Sequence, residues 1–488
     1  MAIYAHGVSA SEVPTSARPP ITANAGLPVV VGTAAVVEGV RTNVNVPVLC
    51  TSLAEFNAAF GDGPVADYTL SEFASVYFGL YGVQPAVCIN VLDPDDEDHM
   101  DAVARAALAW ADAETSQTVE VFGADKTTVV LDDGAAPPVA YALTTDYTLA
   151  YDSDGYLVIT RVAAGAMGTG ALPLCHLTYS KMDPAGVVAA DVIGTAVGAV
   201  NTGLYCIEDV CPKLQQVPGM FLAPGYSHEP TVAAGLVARG ASVNGVFVPQ
   251  IVVDLDPDEY EIANYSEAAA WKLANNYTSA NMVCCWPKVT RGTATHWMSS
   301  HYAGLANLTD AGAGQGVPYV SPSNKDLLAD GAVMEDGTEV ALTWLQANIL
   351  NAAGIVTALN FGGWRLWGNR TAGYPASTDP KDAFVPIRRM TLWLVNTLAL
   401  TYFSRVDDAM NLRLIESVVD SANIFMNGLA AQGAILAGEV VFAVADNPTV
   451  DLLDGGSTFR VYWTPPPPAK SISFVIEYDV AALALLFG

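Results

Sequence analysis

The stretches that could do chemistry in this sequence are an acidic run, a serine–histidine stretch, two cysteine pairs and a glycine-rich loop. Asp93, Asp95, Asp96, Glu97 and Asp98 crowd one segment, but they lack the alternate ligand spacing, central glycine and closing glutamate of a calcium loop, and read as a solvated loop. Asp152-Ser153-Asp154-Gly155 opens like such a loop, yet its twelfth position is Ala163, so it reads as a hairpin turn. His296 and His301 miss the i, i+4 spacing of a zinc helix, and no glutamate follows His296. Cys284 and Cys285 sit in an apolar run that on a strand points them to opposite faces, and Cys206 and Cys211 have no second pair to complete a zinc ribbon. Ser299-Ser300-His301 forms no recognisable triad element, and no Gly-X-Ser-X-Gly elbow exists. The AGAGQGVP segment from Ala311 lacks Rossmann spacing and a preceding strand, and there is no phosphate-loop motif. These residues point away from an enzyme, a metal site or a cofactor.

The elements that would carry such residues belong to a chain of 488 residues, enough for about three domains. It holds 21 Lys+Arg against 50 Asp+Glu, a net charge of −29, yet only 15% of residues are charged and 52% are hydrophobic. Disorder is excluded by the apolar content, and nucleic acid or an anionic membrane as a non-specific partner by the charge. Few charges on an apolar chain suit a surface partly hidden by neighbours. No apolar stretch reaches the ~20 residues of a spanning helix, and the opening residues carry no secretory pattern. The seven scattered cysteines read as free buried thiols.

Residues 1–20 lack a helical period and read as an extended arm, with Ile3, Tyr4, His6 and Val8 as candidate contacts between subunits. Residues 21–95 read as a βααβ unit: a buried strand in Leu27–Val37, helices from Leu53 and Leu70, and a strand in Pro85–Leu92. Short β-branched runs separated by turn clusters predict an inserted all-β module over 115–180. Over 189–330 strands and helices alternate as in a parallel α/β domain: a helix in Ala189–Thr202, a strand in Leu204–Glu208, then strands near 219, 245 and 281. Residues 340–468 form an α+β block with helices at 387–403 and 412–429, the second burying Ile415, Val418, Val419, Ala422, Phe425 and Leu429. Four prolines, Pro465–Pro468, then make a stiff spacer. Within 469–488, Ile472, Phe474, Ile476 and Tyr478 alternate with polar residues as an amphipathic strand.

Between Arg365 and Arg413 there are seven basic and four acidic residues, a local +3. Either intramolecular pairing or a docking surface for an acidic partner accounts for it. The two ends either fold back on their own subunit or add strands to a neighbour's sheet edge, a head-to-tail contact that generates a helical filament.

Gly363-Trp364-Arg365-Leu366-Trp367-Gly368-Asn369-Arg370-Thr371 resembles the Trp-Gly-X-Arg-Thr signature of the tail sheath proteins of contractile bacteriophages, with Trp364, Trp367, Gly368, Arg370 and Thr371 as its marks. Pro386-Ile387-Arg388-Arg389, the Gly433–Gly438 segment, Ser321–Lys325, and His6-Gly7-Val8 with Glu12 and Arg18–Ile21 are similar to further parts of that family. The resemblance implies an α+β core domain built from both chain ends (21–95 and 340–468) and a subtilisin-like α/β domain without a catalytic triad. It implies arms that weave copies together, and Arg388 and Arg389 as candidates for facing a tail tube. The implied partners are the chain itself, the tube, baseplate and tail terminator proteins, with no nucleic acid and no membrane insertion. The implied place is a virion tail assembled in the host cytoplasm. The presence of both arms in one chain favours a phage or phage-derived particle over a type VI secretion sheath. A cytosolic α/β hydrolase is the reading from another class.

Overall fold

The apolar run after Leu27 becomes strand β1 (Pro28–Gly32), all five residues buried, at the heart of an eight-stranded sheet. The structure is a computed structural model and describes residues 21–486 apart from 173–174, 199 and 315. The other strands are β2 (Val48–Cys50), β3 (Ala86–Asn90), β4 (Met220–Leu222), β5 (Gln250–Asp254), β6 (Met282–Cys285), β7 (Ile355–Asn360) and β8 (Trp364–Trp367). Their order is β8-β7-β6-β5-β4-β1-β3-β2. Pairing is parallel from β7 to β3, and antiparallel for β8 and β2 at the two edges. Strands covered on both faces need continuous β-branched and aliphatic runs, which PVVVG, AVCIN and QIVVD supply.

This sheet corrects the expected domain division. Residues 21–95, 189–330 and 340–468 all contribute strands to it, so the first two are one layer rather than two domains. Apolar runs reveal strands, but their partners are chosen by tertiary packing. Two further readings change. Only Ala189–Ile193 is helical in the expected helix 189–202, because Gly194 (φ 64) ends it and Gly198 (φ 64) turns a short hairpin. Gly203–Asp209, expected to contain a strand, is a 3₁₀ helix burying Leu204, Cys206 and Ile207. That spacing serves either conformation over so short a run.

The β module holds six strands between Met100 and Met182, starting earlier than the expected 115. Two three-stranded sheets enclose Trp110, Leu131, Tyr147, Leu157, Ile159 and Leu177. It meets the body through an Arg41–Asp125 ion pair, the Glu38 carboxylate accepting from Gly123 N (3.2 Å), and the Tyr68 and Phe122 rings edge to face.

Four helices tie the sheet to the C-terminal block: α1 (Met298–Gly312), α2 (Trp344–Ala352), α3 (Val385–Phe403) and α4 (Leu412–Ala431). Asn411 caps α4, whose Val418, Ala422, Met426 and Leu429 are buried, close to the expected face. Helices α3 and α4 pack with a two-stranded antiparallel sheet, β9 (Ala437–Val441) and β10 (Arg460–Thr464). Residues 21–23 run along α3: Trp393 Nε1 donates to Ala23 O (2.9 Å), and Ala23 N donates to Thr397 Oγ1 (3.1 Å). The start of the described chain is thus pinned to its C-terminal block.

Helix α3 is locked to α1 by an ion pair inside the protein. Arg389 Nη1 and Nη2 donate to Asp310 Oδ1 and Oδ2 at 3.0 and 2.6 Å, with Arg389 2% and Asp310 3% exposed. The expectation that Arg389 faces a tube is corrected by its burial: the charge is satisfied internally. Removing one partner of such a pair strands the other, at a cost of about 3–5 kcal/mol, whereas replacing both with apolar groups is often near neutral. Arg389→Met should therefore lose about that much stability in chemical denaturation, and Arg389→Met with Asp310→Leu should recover most of it. A single variant as stable as the parent would contradict this role.

Candidate functional site

Strand order turns around β1, with β3 on one side and β4 on the other. In open α/β sheets the crevice beyond the carboxyl ends of the strands, where order reverses, is where ligands bind. Here that position is packed solid. Asp254 ends β5, Glu72 comes from the helix Thr69–Ala74, and Ser299, Ser300 and His301 come from the first turn of α1; all five are buried. Ser299 Oγ donates to Asp254 Oδ2 (2.5 Å) and Ser299 N to Asp254 Oδ1 (2.9 Å). Ser300 Oγ donates to Glu72 Oε2 (2.8 Å), and Trp297 N to Glu72 Oε1 (3.1 Å). His296 Nδ1 lies 3.4 Å from Glu72 Oε1, and His301 Nδ1 lies 3.1 Å from Tyr81 Oη. The seryl hydroxyls therefore face carboxylates rather than an imidazole, an arrangement that offers neither hydroxyl a histidine base. Burial pushes the Asp254 carboxyl up to about 7, and burial, with His296 nearby, holds His301 down to about 3. Among the described residues no cluster of His, Cys, Asp and Glu could hold a metal ion, and no helix is long and apolar enough to cross a membrane. The seven cysteines are unpaired.

The signature residues position backbone. Trp364–Trp367 form β8, and Trp367 Nε1 donates to Asn348 Oδ1 on α2 (3.0 Å). Gly368 has φ 144, and a Cβ there would lie 2.8 Å from Val356 Cα, so the turn after β8 admits only glycine. Arg370 stacks over the rings of Phe384 (3.8 Å) and Tyr374 (4.3 Å). Thr371 N donates to Ala383 O (3.1 Å), and its hydroxyl donates to Asp382 O. The run thus carries the chain from the sheet edge to the start of α3. Ser321–Lys325 meets it there: Gly368 N donates to Ser323 Oγ (3.1 Å) and Leu366 N to Lys325 O (3.1 Å). The two motifs, about 40 residues apart in sequence, form one wall.

That wall faces the proline spacer across a cleft of 720 Å³, a feature the sequence reading missed. Tyr319, Trp344, Trp367 and Tyr374 supply rings, and Asn348, Asn351 and Asn369 supply amides. Asn348 and Asn351 at i, i+3 on a helix were the available signal.

The basic window is not a free cationic surface. Arg365 pairs with Asp326, Lys381 and Arg388 with Asp382, Arg389 with Asp310, and Arg405 with Asp408. Arg388 also donates to Asn281 Oδ1 (2.6 Å) and is mostly covered, so neither candidate arginine presents an unpaired charge. The candidates Ile3, Tyr4, His6 and Val8 lie outside the described residues.

The tail departs from expectation. Ile472, Phe474, Ile476 and Tyr478 are 73, 87, 93 and 74% exposed, and residues 470–479 form neither helix nor strand. A strand exists only with a partner, and among the described residues no strand pairs with the tail. Among those residues a small sheet has an unpaired edge. Asn423 of α4 bonds Val440 N and O (2.8 and 2.9 Å) and so occupies the outer side of β9, leaving β10 as the open edge of that sheet.

No family profile matches the chain. It is 29% identical over 502 residues, covering 99% of both chains, to the tail sheath protein of Burkholderia phage BcepMu. It is 28% identical over 348 residues to a putative prophage major tail sheath protein of Pseudomonas aeruginosa strain UCBPP-PA14, covering 66% of this chain and 84% of that one. Its fold matches the PVC sheath complex of an extracellular contractile injection system in the contracted state, with a TM-score of 0.58, 14% identity and 99% of each chain covered. The chain is thus similar from end to end to a contractile bacteriophage tail sheath protein, and it shares the fold of a contractile sheath over the same span.

Proposed function

We propose that the chain is the repeating subunit of a contractile sheath: copies polymerise helically around a tail tube, and the polymer shortens to drive the tube through a host envelope. The observation that carries the assembly step is the tail. Apolar residues exposed at 73–93% beyond a rigid proline spacer have no strand partner among the described residues, where β10 holds an unpaired edge. A tail added beside the next copy's β10 is a contact of two different patches, which propagates as a helix. Baseplate and terminator proteins would meet the polymer at its ends. The setting is a phage tail or phage-derived particle, assembled in the host cytoplasm.

No phosphate-loop motif exists in the sequence, so contraction would draw on free energy stored at assembly. The body would move largely as a rigid unit while the arms keep neighbours linked. The mostly parallel sheet with its packed carboxyl-end cluster supports a subtilisin-like core that serves as scaffold. A hydrolase reading is disfavoured because Ser299 and Ser300 are buried and donate to carboxylates.

Two outcomes check these readings. Deleting residues 471–488 should leave a folded subunit that forms no long tubes in electron microscopy; normal sheaths from that variant would remove the tail from the assembly mechanism. If the carboxyl-end cluster is structural, Asp254 should act through stability alone. Its carboxyl titrates near ~3.9 in an unfolded chain and about 7 in the fold, so the folded state binds more protons between those values. Its contribution is then greatest below the lower value and declines as pH rises through about 7. His301, held at about 3, works in the opposite direction as pH falls from ~6.5. Asp254→Asn should stabilise more at pH ~8 than at pH ~4, by up to a few kcal/mol in denaturant titrations. A pH-independent difference would rule out this linkage.

A further inference from the structure

Cations are scarce in this chain, 21 against 50 acids, and nearly all of them are engaged. Where no carboxylate serves, Arg161 and Lys272 reach backbone carbonyls, and Lys126 and Arg370 lie over aromatic rings. Among the described residues only Lys325, Lys470 and Arg413 have side chains without a carboxylate, carbonyl or ring partner. Two of those three, Lys325 and Lys470, line the same 720 Å³ cleft, together with Arg370. No aspartate or glutamate lines it, and the adjacent Asp326 is held by Arg365 at 3.0 Å. In a molecule of charge −29, a cleft with three cations, four aromatic rings and no carboxylate is set up for an acidic, apolar segment supplied from outside.

We propose that this cleft receives the far end of a second copy's C-terminal tail, whose earlier residues lie beside β10, with Glu477 seated between Lys325 and Lys470 and with Ile476 and Tyr478 against Trp344 and Trp367. The proposal rests on the tail-exchange reading and names the receptor. Three observations favour the tail as occupant. Residues 470–479 form neither helix nor strand, so their backbone belongs to no sheet among the described residues. It carries Glu477 among Phe474, Ile476 and Tyr478, all 74% exposed or more. The open strand β10 ends at Thr464 and passes directly into the prolines that wall the cleft, so a strand laid beside β10 has one end there. The signature then acquires a second role: besides positioning backbone, it forms the floor on which a neighbour's tail is held.

The test uses sheath grown from the intact chain, with Lys325→Glu/Lys470→Glu, Glu477→Lys and the triple variant compared by sedimentation and electron microscopy. All three residues are exposed, so unchanged thermal melting is expected. The double variant and Glu477→Lys should each raise the protein concentration needed for tubes at least tenfold. The triple variant, with both signs exchanged, should return within about twofold of the parent. Added salt should shrink the differences. A silent double variant overturns the proposal. So does a triple variant no better than the double, because the cleft then takes some other acid. Neither result touches tail exchange itself, which falls only if deletion of residues 471–488 leaves assembly intact.

Discussion

Backbone pairing in one sheet is the constraint on which the other parts depend. Each interior strand must match its N–H and C=O groups on both sides, since water reaches neither face. The chain meets this demand with segments more than 300 residues apart, β1 at 28–32 and β7 at 355–360. Every other unit is placed relative to that layer. The β module leaves it after β3, the α3–α4 block follows β8, and the Arg389–Asp310 pair ties α3 to α1. The sheet is also closed at its edges. Residues 324–327 cover β8, with Leu327 N donating to Trp364 O (2.9 Å), and β2 is only three residues long. The proposed strand addition would thereby be directed to the small sheet.

Much of this was legible in the residues. Continuous apolar runs located β1, β3, β5 and β6, because a strand buried on both faces has little other way to be encoded. The helical period located α3 and α4. Which runs share a sheet was not legible, since an apolar strand is equally content beside any other. The carboxyl-end cluster was hidden for a related reason. Ser299 and Ser300 were visible as a possible nucleophile, but Asp254 and Glu72, which absorb their hydroxyl protons, lie 45 and 228 residues away. The basic window misled in the opposite direction: a sequence count of charges does not reveal that Asp310, well outside the window, neutralises Arg389.

The residues that carry the resemblance hold backbone in place in this fold. Trp364–Thr371 makes structural contacts. It turns a sheet edge into a helix start, and in doing so lines a cleft that composition alone would never suggest. Arg388 and Arg389 are internal fasteners rather than a surface. For this chain, then, recognising a motif and knowing its physical task are separate steps, and the second needs the partners that only folding brings together.

The four prolines between β10 and the tail have one more consequence. Extended polyproline spans about 3.1 Å per residue, so Pro465–Pro468 hold the tail roughly 12 Å from the end of β10 and resist shortening. A linker of constant length behaves as a tie rod. Under the proposed tail exchange, two copies joined by it would rotate about its ends while the gap between them stayed fixed along its axis. A large change in the lattice would then be expressed as angle, and shortening along one direction would appear as widening in another.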